Sequence, residues 1–179
     1  GEPFLNYKNV SLAAEIINKK INLGARKITI STAGVVSKIY KMADDRLPYK
    51  LAISLNAPNN TIRKRIMPLT NNNPIEELIK SADYYYSKLK RFVTFEYVLL
   101  NNVNDSEKCA IELIDLLKNI PCKLNLIPYN EIGGKFSRPS NQSIDTFINV
   151  LKNAPFTITV RWSKGTKIDA GCGQLAVKN

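Results

Sequence analysis

The sequence predicts an α/β fold built on a parallel sheet. Short apolar, β-branched or aromatic runs alternate with helical patterns along the chain. Strand starts recur near 27, 50, 91, 123 and 156, spacings that suit βα units with one longer insertion after the second strand. No linker, internal repeat or low-complexity block divides the chain, and 179 residues suit one domain or a large part of one.

The first helical pattern runs over 10–20, with Leu12, Ile16 and Ile17 as its apolar positions, and stops before Gly24. Strands follow at 27–31 and 50–55, with a helix at 35–43 between them. The Asn59–Asn60 and Asn71–Asn73 clusters read as loops flanking a short helical piece at 61–66. A helix over 75–89 opens after Pro74 with two glutamates in its first turn, where the helix N-terminus carries partial positive charge. A strand at 92–100 leads to a helix at 105–120, which opens with the cap-and-acid run Asn104-Asp105-Ser106-Glu107. Strands at 123–127 and 156–162 flank a long irregular stretch, 129–142, and a helix at 143–151. An irregular stretch of that length in a compact domain is often functional.

Composition narrows the function. The chain carries 26 Lys and Arg against 15 Asp and Glu, a net charge of +11, and 44% hydrophobic residues. That balance excludes a disordered or fibrous chain and suits a polyanionic partner, of which nucleic acid is the commonest. The bland alternative is a solvated lysine-rich surface. No apolar run reaches the roughly 18 residues of a membrane helix, and no signal-peptide pattern opens the chain. Three scattered cysteines do not make a disulfide framework, which points to a reducing, cytoplasmic compartment. The absence of histidine excludes His-based catalysis and His-ligated metals within this chain.

In parallel α/β sheets, ligands bind at the carboxyl ends of the strands. Gly1-Glu2-Pro3 reads as the end of a strand whose body is missing. The later strand ends carry Ser31-Thr32-Ala33-Gly34, Ser54-Leu55-Asn56-Ala57-Pro58, Asn101 to Asp105, and Pro128-Tyr129-Asn130. Small hydroxyls, amides and glycines suit a ligand with a ribose, an amino acid end and a flat base. Neither GxGxxG nor GxxxxGK[ST] occurs, which counts against a nucleotide triphosphatase or dinucleotide dehydrogenase. Each feature has a plainer reading. Ser31 or Thr32 could only cap a helix, Asn130 could only form a turn, and Cys109 and Cys122 read as small buried hydrophobes. Cys172 differs: it lies between two glycines beyond the last strand, and a free thiol in such a loop is a candidate nucleophile.

Six segments occur in the order and spacing of one family: Gly1-Glu2-Pro3, Ser31 to Gly34, Ser54 to Pro58, Phe95-Glu96-Tyr97 with Val103-Asn104-Asp105, Asn125 to Asn130, and Ala170-Gly171-Cys172-Gly173-Gln174-Leu175. The chain resembles the radical S-adenosylmethionine methyltransferases that modify C2 of an adenine in 23S ribosomal RNA, the RlmN family. The resemblance implies a partial (β/α) TIM-like barrel lacking its N-terminal strand or strands. It implies a [4Fe-4S] cluster and S-adenosylmethionine as cofactors, ribosomal RNA with transfer RNA as a further candidate substrate, an electron donor, and a cytoplasmic monomer without membrane association. Gly1 and Glu2 would meet the amino acid end of S-adenosylmethionine. Ser31, Ser54, Leu55, Asn56 and Asn130 would line the rest of its pocket, and Cys172 would carry the methyl group. C2 of adenine is an electron-poor carbon beyond ordinary methyl displacement, which is why a cofactor carries the hard step. Arg63, Lys64, Arg65, Lys135, Arg138, Lys164 and Lys167 fall near the expected barrel mouth and are candidate phosphate contacts.

The departures matter too. The family's C-x-x-x-C-x-x-C cluster motif does not occur in the 179 residues. The non-Met start fits the C-terminal portion of a longer enzyme, with 163–179 as a tail carrying Cys172 and no metal ligands of its own; such a fragment would be inactive alone. Asn56 stands where many members have His. A C8-adenine methyltransferase keeps every motif, and a noncatalytic basic α/β nucleic-acid-binding module is the alternative from a different class.

Overall fold

In the computed structural model, residues 1–131 and 134–162 are described. Five parallel strands form one sheet in sequence order, β1 (Thr29–Thr32), β2 (Lys50–Ser54), β3 (Val93–Leu99), β4 (Cys122–Pro128) and β5 (Thr157–Val160). Every neighbouring pair is parallel. Helices α1 (Tyr7–Lys19), α2 (Val36–Asp44), α4 (Ile75–Leu89), α5 (Glu107–Leu117) and α6 (Asn141–Leu151) connect or precede the strands, and α3 (Asn60–Ile66) is the insertion after β2. Sequential order with parallel crossovers is the wall of a partial (β/α) barrel. The predicted fold class holds.

Strands β1, β3 and β4 alternate between buried and open positions, whereas β2 buries Leu51, Ala52 and Ile53 in succession. Val93, Phe95, Tyr97 and Leu99 are fully buried on one face of β3, as are Leu124 and Leu126 on β4. This outer face packs against the helices in a single core that includes Ile39, Leu78, Tyr85, Leu113 and Phe147. The inner face carries Ser31, Ser54, Glu96, Asn125 and Thr159, all half-buried or exposed. Parallel sheets covered on both faces read as continuous apolar runs; here period-two alternation marks a sheet with one polar, open face.

Boundaries shift for physical reasons. Helix α1 begins three residues before the predicted start, because Tyr7 and Ala14 form its buried side, and Phe4 is buried in the 3-10 turn just before it. Leu12 and Ile16, two of the three apolar positions quoted for this helix, are 53% and 40% exposed. The rotation is fixed by Tyr7, whose hydroxyl donates to Asp45 at 2.7 Å. Strand β1 starts late because Ala25–Lys27 form a 3-10 turn. Cys109 and Cys122 are buried, as their reading as small core residues requires. No helix among the described residues is long and apolar enough to cross a membrane.

Candidate functional site at the carboxyl ends of the strands

The loop after β1 is held from both sides by charge. The Glu2 carboxylate accepts from the Thr32 hydroxyl and the Ala33 amide, each at 2.6 Å, and from the Phe4 amide at 2.9 Å. The Thr32 hydroxyl accepts in turn from the Gly34 amide at 3.0 Å. Gly34 has φ +105°, and a Cβ there would lie 2.9 Å from a Leu78 methyl and 3.1 Å from Arg63 Nη2. Glycine is therefore required for both conformation and space. The segment 31–34 does not cap α2. The Val36 amide donates to Asn73 Oδ1 at 2.8 Å, so the cap is supplied by a residue far along the chain.

On the other side of this loop sits Arg63, 0% exposed. Its Nη2 donates to the Ala33 carbonyl at 2.6 Å and the Ser54 carbonyl at 3.1 Å. Nε donates to the Leu55 carbonyl at 3.0 Å, and Nη1 to the Thr70 hydroxyl at 3.0 Å and the Asn73 carbonyl at 3.4 Å. One guanidinium thus gathers backbone from the ends of β1 and β2. Burial pushes its pKa down to about 10, and no carboxylate faces it among the described residues. Arg63 is therefore not a phosphate contact, contrary to the sequence expectation. Its neighbours Lys64 and Arg65 are exposed on α3. Lys135 is exposed and the Arg138 guanidinium lies 5.8 Å over the Trp162 ring; Lys164 and Lys167 lie outside the described residues.

The turn after β2 is locked to β3. Asn56 adopts the left-handed conformation, φ +58°. Its Oδ1 accepts from the Val98 amide at 2.9 Å, and its carbonyl accepts from Asn104 Nδ2 at 2.8 Å. The Leu55 and Asn56 amides both donate to the Glu96 carbonyl, at 2.9 and 3.2 Å. Asn104, fully buried, also bonds Val98 and Leu100 backbone, and its carbonyl accepts from the Tyr97 hydroxyl at 2.8 Å.

A cavity of about 440 Å³ opens among Gly1, Glu2, Ser31, Thr32, Ala33 and Ser54. It unites four of the predicted cofactor residues. Leu55 is fully buried behind it, Asn56 turns its amide to β3, and Asn130 is buried at the end of β4. Cys172 lies outside the described residues. A larger hollow of about 680 Å³, between α1 and the segment leading into β2, lies away from these strand ends and contains none of the predicted site residues. Among the described residues, no group of three His, Cys, Asp or Glu could hold a metal ion.

Sequence reasoning missed the roles of Arg63, Asn73 and Asn104. Arg63 lies in the run Arg63-Lys64-Arg65, which looks like a solvated basic patch, so nothing local marked it as buried. Glu96 stood inside a quoted motif without an assigned role; its place on the open face was legible as a polar position two residues from Thr94 in an apolar strand.

Comparison with known proteins defines the class first. The fold is that of radical S-adenosylmethionine enzymes. A radical SAM methyltransferase from Sphaerobacter thermophilus superposes with a TM-score of 0.92 and 43% identity over 97% of this chain and 52% of that one. A domain of pyruvate-formate lyase-activating enzyme from Bacteroides vulgatus shares the fold with a TM-score of 0.71 at 18% identity, over 90% of this chain and 94% of that one. In sequence, the chain is homologous to the RlmN-type RNA methyltransferases. It is 48% identical over 178 residues to the "Probable dual-specificity RNA methyltransferase RlmN" of Dictyoglomus thermophilum, over 98% of this chain and 51% of that protein. The chain spans about half the length of the curated relatives it matches. No family model matches it. The resemblance drawn from the six motifs is thereby borne out.

Proposed function

We propose that this protein methylates C2 of an adenine in 23S ribosomal RNA by radical S-adenosylmethionine chemistry, with transfer RNA as a second substrate. In this reading residues 1–162 supply a cofactor-binding barrel wall, and 163–179 a tail carrying Cys172 as the methyl acceptor and donor. The observation that carries it is the cavity at the strand ends, lined by Gly1, Glu2, Ser31 and Ser54, in a chain 48% identical to an RlmN-named relative.

The residues present suit S-adenosylmethionine. An ionised carboxylate has about four acceptor positions, and Glu2 uses three on Phe4, Thr32 and Ala33. One remains for the ligand's ammonium. A Cβ added to Gly1 would meet nothing within 4 Å, so a ligand can approach the backbone there closely. Ser31 and Ser54 offer hydroxyls that both donate and accept. Bound S-adenosylmethionine supplies an electrophilic methyl group and, with a reduced iron–sulfur cluster, a radical. The cluster does not fit the residues of this chain: Cys109 and Cys122 are buried in the core, and the C-x-x-x-C-x-x-C spacing does not occur in the sequence.

The chain's own residues hold and orient. Glu2 holds the Ala33 amide and Arg63 the Ala33 carbonyl, so the peptides on both sides of Ala33 are fixed in the β1 loop. A target base must leave its stack to reach such a rim, and Lys64, Arg65, Lys135 and Arg138 are placed on the surface to meet phosphates. The protein in this reading is a cytoplasmic monomer served by an electron donor. Two measurements test it. Mass spectrometry of the protein expressed from its complete gene, with cluster and S-adenosylmethionine, should find one methyl group on Cys172; an unmodified Cys172 ends the methyl-carrier reading. Nucleoside mass spectrometry and NMR of RNA from a deletion strain should show loss of 2-methyladenosine; loss of the 8-methyl isomer instead moves the assignment to C8.

A further inference from the structure

We propose that Trp162, backed by the Arg138 guanidinium, is a stacking platform for an unpaired RNA base that flanks the target adenine. The inference rests on the RNA reading above and adds to it a residue that reading leaves without a role.

Trp162 is the single tryptophan of the chain and is 51% exposed. A lone exposed apolar residue is ordinary, but Trp162 is set apart by its place and its neighbours. Strand pairing runs one residue past β5, where the Arg161 amide donates to the Leu126 carbonyl at 2.8 Å. Trp162 follows directly, at the carboxyl end of β5, the same end of the sheet as the cavity at Gly1, Glu2, Ser31 and Ser54. Phe92, the other exposed large aromatic residue among those described, precedes β3 at the opposite end. Arg138 lies 5.8 Å over the indole ring, within cation–π range. The loop that carries Arg138 is anchored: the Asn101 amide donates to the Ser137 carbonyl at 3.0 Å and Asn101 Nδ2 to the Ser137 hydroxyl at 3.2 Å. Pro139 is buried, and the Arg138 amide donates to the Glu131 carboxylate at 3.4 Å.

Arg161 completes the rim. Ser54, Glu96, Asn125 and Thr159 are register partners in one polar row facing the lumen. Arg161 is two residues beyond Thr159, so alternation puts it on this inner face and Trp162 on the outer side of the rim. Arg161 is exposed and has no ion pair among the described residues. A flat electron-rich ring between two guanidinium groups suits a flat ring carried on an anionic backbone, which is a nucleotide. Paired bases keep their faces inside a duplex, so only an unpaired base can stack here. A target base that leaves its stack to enter the lumen strips its neighbour of a stacking partner. Trp162 replaces that partner, and Arg161 meets the phosphate between the two nucleotides.

The test is RNA binding without turnover, on the protein expressed from its complete gene. The probes are a fluorescein-labelled RNA hairpin with an adenosine loop and a blunt RNA duplex of equal nucleotide number. Trp162→Ala should weaken the hairpin roughly 10- to 100-fold, the range of one base–aromatic stack, and the duplex by less than about twofold. Trp162→Phe should restore the hairpin to within about fivefold. The salt dependence should keep its slope in Trp162→Ala and lose about one charge in Arg161→Gln. Fluorescence of wild type minus that of Trp162→Phe isolates the indole, so the platform is also read where Trp162→Ala fails to fold: the hairpin should quench it and the duplex should not. Unchanged hairpin affinity in Trp162→Ala overturns the platform. Equal weakening of hairpin and duplex, or no restoration by phenylalanine, makes Trp162 structural and overturns it too. So does a hairpin that binds without quenching, which leaves the RNA reading intact. Wild type that binds neither RNA overturns both.

Discussion

At the β1–β2 end of the sheet, Glu2, Arg63, Asn56 and Asn104 turn their polar groups onto backbone, and the strand ends are tied to one another through them. At the β4–β5 end, Asn125 and Thr159 bond chiefly to each other, and β5 is half-exposed along its length. The first end is a finished frame. The second leaves the Asn125 NH2 free to donate on the open face. A frame whose carbonyls are already satisfied cannot rearrange to meet a ligand, so it fixes position. A row of unsaturated side chains can adapt, so it supplies recognition. The comparison predicts that substitutions at the first end act on stability and at the second on binding.

Arg63→Met strikes the frame hardest. It removes the guanidinium donors from the carbonyls of Ala33, Ser54, Leu55 and Asn73 and from the Thr70 hydroxyl. Breaking such a buried polar network should cost on the order of 3–5 kcal/mol, read as a lower urea midpoint at unchanged slope. A loss below about 1 kcal/mol would mean the loops repack without it. Asn104→Ala comes next. It deprives the Leu100 amide and the Asn56 and Val98 carbonyls of partners and should cost about 2–4 kcal/mol, whereas Tyr97→Phe, losing a single buried bond to Asn104, should cost about 1 kcal/mol.

Those two residues also show what the sequence could and could not reveal. The strands and helices were legible because hydrophobic period is a local property: α4 was read at its observed limits, Ile75–Leu89. The strand-end rule then placed Gly1, Glu2, Ser31 and Ser54 together at one cavity. Arg63 was misread because burial is decided by partners distant in sequence. Its acceptors lie at 33, 54, 55, 70 and 73, and no local pattern announces that five acceptors converge on one side chain. Asn73 as the cap of α2 fails for the same reason. The rotation of α1 was misjudged because Leu12 and Ile16 carry the helical period, while the contact that sets the rotation, Tyr7 to Asp45, spans two elements.

Asn56 separates side-chain bonding from backbone conformation within the frame. Asn56→Ala loses the bond to Val98 and places an alanine at φ +58°. It should cost about 2 kcal/mol, and Asn56→Gly, which loses only the bond, about 1 kcal/mol. Equal losses would show that the left-handed conformation relaxes. The outer face at the β4 end provides a control. Burial pushes the Cys122 thiol up to about 12, so the folded protein keeps this proton where the unfolded chain, near 8.5, has lost it. Stability should therefore fall as pH rises above about 8.5, by up to about 1.4 kcal/mol per unit from this group alone, and Cys122→Ala should flatten that limb. An alkaline limb unchanged in the variant would mean that water reaches this face, and the contrast between the two ends would then extend beyond the inner row.

The smallest effect on stability is expected at Thr159. Its hydroxyl bonds Asn125 at 3.1 Å on an exposed strand, and the Leu124 carbonyl only at 3.5 Å. Thr159→Val keeps the β-branched shape that suits a strand and should change the urea midpoint by less than about 0.5 kcal/mol. Freed of the Thr159 hydroxyl, the Asn125 amide can also turn over and present its oxygen to the lumen. The same variant should therefore change affinity for S-adenosylmethionine while leaving stability untouched. A stability loss like that of Asn104→Ala would show that the β4–β5 end is framed as firmly as the β1–β2 end, and the division of labour between them would fail.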